Sequence, residues 1–138
     1  MKTFIYLTAL LFSTFAFAQD TKGITVTIEI ENLLNNDGKV SAALYDEATF
    51  MRAAPLDATE AVPENKMITL TFKNVQPGTY GIITLHDFNE NGRMDFEPSG
   101  MPKEPYGLSG AGVGFGPPSW GDAKFTVGEE DITLKITM

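Results

Sequence analysis

Apolar and polar residues alternate without a break over residues 24–31, with Ile24, Val26, Ile28 and Ile30 on one side and Thr25, Thr27, Glu29 and Glu31 on the other. A period of two is the mark of a half-buried β-strand. The pattern returns over residues 39–46, where Val40, Ala42 and Leu44 share one face and Ser41, Ala43 and Tyr45 the other. It returns again over residues 67–73, with Ile68, Leu70 and Phe72 inward. Residues 79–86 are apolar on both faces through Ile82, Ile83 and Leu85, which predicts a strand in the middle of a sandwich. Residues 123–127 and 131–137 complete six strands, the last turning Ile132, Leu134 and Ile136 inward.

The punctuation between these segments is turn chemistry. Asn35-Asn36-Asp37-Gly38, Asn74-Val75-Gln76-Pro77-Gly78 and Gly128-Glu129-Glu130 each break one apolar run from the next. Residues 47–54 carry Phe50 and Met51 and suit a single helical turn, whereas residues 55–65, with two prolines, read as loop. A seventh strand is expected near Phe50 or within the long stretch after His86. Spacing and turns together predict one all-β domain over residues 19–138. Its expected form is an antiparallel Greek-key β-sandwich, immunoglobulin- or transthyretin-like, of about seven strands with one long Gly/Pro-rich loop.

Residues 1–18 are expected to stand outside that fold. Lys2 precedes an apolar run from Phe4 to Phe17, and Ala16-Phe17-Ala18 before Gln19-Asp20 is an A-x-A cleavage pattern. This predicts a Sec signal peptide cleaved after Ala18, and so a periplasmic or secreted protein without membrane insertion. The full chain carries a formal charge of −8 and no cysteine. Loss of the leader removes Lys2 as its one charged residue and makes the balance one unit more negative. Such a charge disfavours nucleic acid and anionic membrane surfaces and suits a protein that binds cations. Without cysteines, disulfides, thiol catalysis and Cys-based zinc sites are excluded, and the fold must rest on its core.

The segment after the fourth strand carries the candidate chemistry. Asp87-x-Asn89-x-Asn91-Gly92-x-x-Asp95 matches the start of an EF-hand-type calcium loop. Ca²⁺ takes six to eight hard oxygens at about 2.3–2.6 Å, and oxygens at loop positions 1, 3 and 5 converge when the backbone winds around the ion. Glycine at position 6 allows the sharp turn that brings the position 7 carbonyl, here that of Arg93, inward. Asp95 falls at position 9. The match then breaks, because Pro98 stands where an EF-hand has its bidentate glutamate, and no helical pattern flanks the loop. Glu97 or Glu104 is expected to supply the missing carboxylate from the returning chain. The expected metal ligands are therefore Asp87, Asn89, Asn91, Arg93, Asp95, Glu97 and Glu104, with modest affinity for Ca²⁺. A plain Asn-Gly turn with local Asx hydrogen bonds is the simpler alternative, but it does not explain oxygens at every second position.

Other residues offer less. His86, the one histidine, is a general base only if Ser99, Ser109 or Ser119 or a second acid lies beside it, and no nucleophile-elbow pattern surrounds these serines. A structural role at a strand end is the expected one. Phe96, Tyr106, Phe115 and Trp120 sit among small residues. They are expected to fold back and cap the sandwich, with Tyr106 and Trp120 the best candidates for an exposed sugar- or protein-binding platform. Gly107, Gly110, Gly112, Gly114 and Gly116 imply tight turns, and no Lys-Ser/Thr follows to make a phosphate loop.

Pro77-Gly78-Thr79-Tyr80, the His86–Asp95 motif, Gly100-x-Pro102-x-Glu104-x-Tyr106-Gly107-x-Ser109 and Phe115-Gly116-Pro117-Pro118-Ser119-x-x-x-Ala123-x-Phe125 together resemble the exported bacterial proteins grouped as domain-of-unknown-function family number 2141. The resemblance covers nearly all of the chain after the leader. It implies an exported β-sandwich and no particular reaction. The Pro-Gly-x-Tyr strand entry is also similar to transthyretin-like and carboxypeptidase-regulatory-like sandwiches. The expectation is a non-enzymatic, monomeric, exported module with a Ca²⁺ loop that serves an extracytoplasmic ligand or protein. A carbohydrate- or protein-binding module built on the loop aromatics, or a hydrolase centred on His86 and Asp87, is the alternative.

Overall fold

The computed structural model describes residues 23–110 and 116–138. The expected leader, and Gly112, Gly114 and Phe115 of the long loop, lie outside the described residues. Eight strands and one helical turn are present among those described: β1 (Ile24–Ile30), β2 (Lys39–Tyr45), β3 (Asp57–Ala61), β4 (Ile68–Val75), β5 (Gly78–Asp87), β6 (Tyr106–Leu108), α1 (Trp120–Ala123), β7 (Lys124–Val127) and β8 (Ile132–Ile136). They form two packed sheets. One is three-stranded in the order β4-β1-β8; in the other, β3-β2-β5-β6 are consecutive and β7 also pairs with β5.

The period-two pattern becomes the core directly. Ile24, Val26, Ile28 and Ile30 of β1 are buried against Val40, Ala42 and Leu44 of β2, Ile68, Leu70 and Phe72 of β4, Ile82 of β5 and Ile136 of β8. Each Val, Leu, Ile or Phe among them contributes on the order of 1.5–3 kcal/mol by leaving water. Ile132 and Leu134 of β8 pack on this core while half-buried, as does Phe125 of β7. β5 is central, as its composition predicts: it pairs β2 along one side, and on the other side β7 through Gly78–Gly81 and β6 through Ile83–Leu85. Its two faces differ, however. Ile83 and Leu85 are half-buried on the outer face, whereas the inner face carries Ile82, Thr84 and His86, so two polar side chains are fully buried there.

Two expectations are corrected. β8 runs parallel to β1, so the sandwich is not wholly antiparallel. The chain reaches β8 from β7 in the opposite sheet rather than through a hairpin with β1. Part of residues 55–65 is a strand: β3 pairs antiparallel with β2 from Leu44↔Asp57 to Val40↔Ala61. It escapes the period-two test because it is an edge strand whose side chains are nearly all exposed, and Pro55 and Pro63 flank it rather than interrupt it. Residues 47–54 form hydrogen-bonded turns of the helical i→i−4 kind, as expected, with Phe50 N–H donating to Asp46 O (3.0 Å) and Ala53 N–H to Thr49 O (3.0 Å). The strand expected within the long loop is β6.

Candidate metal centre

The candidate loop leaves the sandwich at the last residue of β5. Asp87 is 6% exposed, and its partner in the register is Lys39 at the start of β2. The turn before β2 is pressed against this point. Gly38 has φ +66, and a Cβ there would lie 2.0 Å from Asp87 O and 2.7 Å from Phe88 Cα. Only glycine suits both that φ and that approach. One residue back, His86 is fully buried and its Nε2 lies 2.8 Å from the Asp37 carbonyl. A carbonyl only accepts, so Nε2 carries the proton and donates. The β1–β2 turn is thus fastened to the loop's root at two places.

From Asp87 the backbone winds round its own side chains. The Asp87 carboxylate accepts from Asn91 N–H (Oδ1, 3.2 Å) and from Gly92 N–H (Oδ2, 2.7 Å). Asn89 Oδ1 accepts from Asn91 N–H (3.2 Å), and Asn91 Oδ1 from Arg93 N–H (3.0 Å). The tight path needs positive φ at Glu90 (56°) and Gly92 (78°). The carboxamides of Asn89 and Asn91 then converge on Asp95. Asn89 Nδ2 donates to its Oδ2 (2.6 Å), and Asn91 Nδ2 to Oδ1 (3.0 Å) and Oδ2 (2.9 Å). The Asn89 amide, then that of Asn91, holds the Asp95 carboxyl below its usual pKa; the positive charges of Arg93 and Lys103 act the same way, against partial desolvation.

The returning chain brings Glu104 to the loop. Glu104 is 5% exposed; its Oε1 accepts from Phe88 N–H (2.9 Å) and its Oε2 from Asp95 N–H (3.2 Å). One buried carboxylate therefore ties the two ends of the loop together. Between Asp95 and Glu104 the chain doubles back, with Lys103 N–H donating to Asp95 O (2.8 Å) and Glu97 N–H to Met101 O (2.8 Å). That places Glu97 in the exposed turn of this hairpin, so of the two glutamates expected to close the loop Glu104 is the one brought to it. Among the described residues, no group of three or more His, Asp or Glu side chains is gathered closely enough to hold a metal by itself. A cation here would depend on the Asn carboxamide oxygens and a main-chain carbonyl as well as on Asp87 and Asp95.

The other candidates have structural partners. Among the described residues, His86 Nδ1 has no hydrogen-bond partner, so no serine hydroxyl or second acid reaches it, and its ring lies against Phe88 with centroids 4.5 Å apart. Ser109 Oγ accepts from Ile82 N–H (2.8 Å) and donates to the Ala123 carbonyl, and Ser119 caps α1. Trp120 is half-buried edge-on to Phe50 (5.6 Å), and Phe50 is edge-on to Tyr45 (5.7 Å). Trp120 and Phe50 lie over Gly81 on the outer face of β5. The half-buried Tyr106 donates its hydroxyl to Gly116 O (3.3 Å). Phe96 stays exposed. Sequence reasoning missed the fastening of Asp37 and Gly38 to the root of the loop. The Asn-Asn-Asp-Gly run was its only trace, and that run reads equally well as an ordinary turn.

No curated protein and no solved structure matches this chain. The family described as "Uncharacterized protein conserved in bacteria (DUF2141)" matches residues 28–135, which takes in most of the core and the whole candidate loop, and the chain belongs to that family.

Proposed function

We propose that this chain is an exported, non-enzymatic β-sandwich module whose Asp87–Asp95 loop binds Ca²⁺. The observation that carries the reading is the convergence of the Asn89 and Asn91 side chains on the Asp95 carboxylate, while Asp87 holds the Gly92 N–H. Loop positions 3, 5 and 9 are thereby brought together, with the carboxamide nitrogens facing Asp95, so an ion would need both carboxamides turned to present oxygen. An ion would take oxygen from Asp87, Asn89, Asn91 and Asp95 and from the Arg93 carbonyl, with Glu104 closing the loop from behind. Two in-loop carboxylates and no bidentate glutamate at position 12 favour an affinity on the order of 10⁻⁵ to 10⁻³ M, as in extracellular modules. Glu104, which holds the Phe88 and Asp95 N–H groups, also lines an open groove of about 380 Å³ with Leu34, Pro105, Tyr106 and Met138, and an ion that stiffens the loop would steady that residue of a surface for an extracytoplasmic ligand. The export reading rests on the signal-peptide pattern of residues 1–18.

The test is a Ca²⁺ titration of the purified protein followed by melting temperature, with EDTA as control. Binding to the folded state alone stabilises by RT ln(1 + [L]/Kd), about 1.4–2.7 kcal/mol when the ion stands at ten to a hundred times Kd. An unchanged melting temperature at several millimolar Ca²⁺ overturns the metal reading.

A further inference from the structure

Asn91-Gly92 is the one Asn-Gly pair in the sequence. Its chemistry does not depend on any bound ion. An asparagine followed by glycine is the most easily deamidated dipeptide, because no β-carbon shields the following backbone nitrogen. That nitrogen loses its proton and bonds to the asparagine Cγ, the Cγ–Nδ2 bond breaks, and ammonia leaves. The resulting cyclic imide takes up water at either carbonyl, giving aspartate or isoaspartate. Asn91 is exposed, so exposure by itself offers it no protection.

The loop nevertheless holds every atom of that reaction in place. The leaving group, Nδ2, donates to both oxygens of Asp95 at 3.0 and 2.9 Å. The carboxamide oxygen is held by Arg93 N–H at 3.0 Å, which fixes the plane of Cγ. The attacking nitrogen, Gly92 N, donates its proton to Asp87 Oδ2 at 2.7 Å. A carboxylate is far too weak a base to remove an amide proton, so this bond keeps the peptide planar and unreactive. Turning the Asn91 carboxamide toward Gly92 N would break its contacts to Asp95 and Arg93, and freeing that nitrogen would break the bond to Asp87.

We propose that Asn91 is a latent deamidation site, locked by Asp87, Arg93 and Asp95 and released only when the loop opens. The opening is reversible, but the deamidation it permits is not. An aspartate product adds one negative charge at the centre of the loop, and an isoaspartate product adds a backbone carbon and destroys the every-second-residue spacing.

The experiment ages the purified protein at mildly alkaline pH in EDTA, beside the same chain unfolded in urea. The Asn91 peptide is followed by mass spectrometry for the gain of about one mass unit. The native chain is expected to deamidate at least about tenfold more slowly than the unfolded one, the factor set by a loop-opening cost of ~1.4 kcal/mol. Asp95→Ala, shown to be folded by circular dichroism, removes the acceptor of both Nδ2 bonds and is expected to deamidate several-fold faster than the native wild type, since the bonds to Asp87 and Arg93 remain. Equal rates in native and unfolded wild-type chains overturn the proposal whether or not that variant folds. A folded Asp95→Ala protein that stays as resistant as wild type overturns the assignment of the lock.

Discussion

Glu104 and Asp46 show how much one carboxylate can organise. Glu104 is buried and accepts from the backbone N–H groups of Phe88 and Asp95, sixteen and nine residues away. Glu104→Ala leaves two amide protons facing a cavity, and a charge-assisted hydrogen bond contributes roughly 1.5–3 kcal/mol. The variant should therefore lower the urea midpoint by an amount equivalent to about 2–4 kcal/mol, with Glu104→Gln intermediate because it keeps an acceptor oxygen. A midpoint unchanged in Glu104→Ala would remove the clamp. Asp46 works at the surface. Its carboxyl is held below the ordinary 3.8 first by the Thr49 hydroxyl, then by the Thr49 N–H. A depressed carboxyl stabilises the fold above its unfolded pKa, and that contribution is lost as pH falls through the folded value. The Asp46 resonance should thus titrate below pH 3.8, and Thr49→Val should move it back up toward that value in an NMR titration. The titration staying where it is in Thr49→Val would refute the hydroxyl as the cause.

At the scale of elements, the candidate loop is only as ordered as the joint beneath it. The turn before β2 meets the end of β5 through Gly38, where a Cβ would stand 2.0 Å from Asp87 O. Gly38→Ala combines that overlap with a strained φ and should cost about 1–3 kcal/mol. Because it pushes directly on Asp87, it should also weaken the proposed Ca²⁺ binding, which isothermal titration of the folded variant beside wild type would read. Loss of stability with full affinity would make the joint a matter of folding alone. The same joint explains what the sequence could tell. β1, β2 and β4 were legible because their buried residues recur at period two, β5 because it is apolar on both faces, and the Asp87–Asp95 wrap because its oxygens recur at every second position. β3 was not, since an exposed edge strand such as Asp57–Ala61 has no inward face to mark it. The parallel β1–β8 pairing was hidden for another reason: each strand shows which face it buries and nothing about which neighbour it meets. Nor could counting residues separate Glu97 from Glu104, because only the hairpin of residues 95–103 decides which of them points home.

For the molecule as a whole, a formal charge of −8 makes any cation stabilising to some degree, so a rise in melting temperature with Ca²⁺ is not specific by itself. Self-repulsion among exposed carboxylates is relieved equally by any salt of the same ionic strength, with a screening length of about 10 Å at 0.1 M. A folded loop distinguishes ions differently. Ca²⁺ accepts an irregular shell of carboxylate, carboxamide and carbonyl oxygens, whereas Mg²⁺ demands near-ideal octahedral geometry at about 2.0–2.1 Å and gives up its waters reluctantly. The proposed site would offer two carboxylates, two carboxamides and a main-chain oxygen on a backbone already bent at Glu90 and Gly92, a set that would suit the larger ion. At matched ionic strength, Ca²⁺ should therefore raise the melting temperature while Mg²⁺ does no more than NaCl. Asp87→Asn with Asp95→Asn should abolish the difference between the two ions and leave the response to NaCl in place. If Mg²⁺ matches Ca²⁺, or the double variant keeps the difference, the stabilisation belongs to the overall charge of the sandwich and not to the loop at the end of β5.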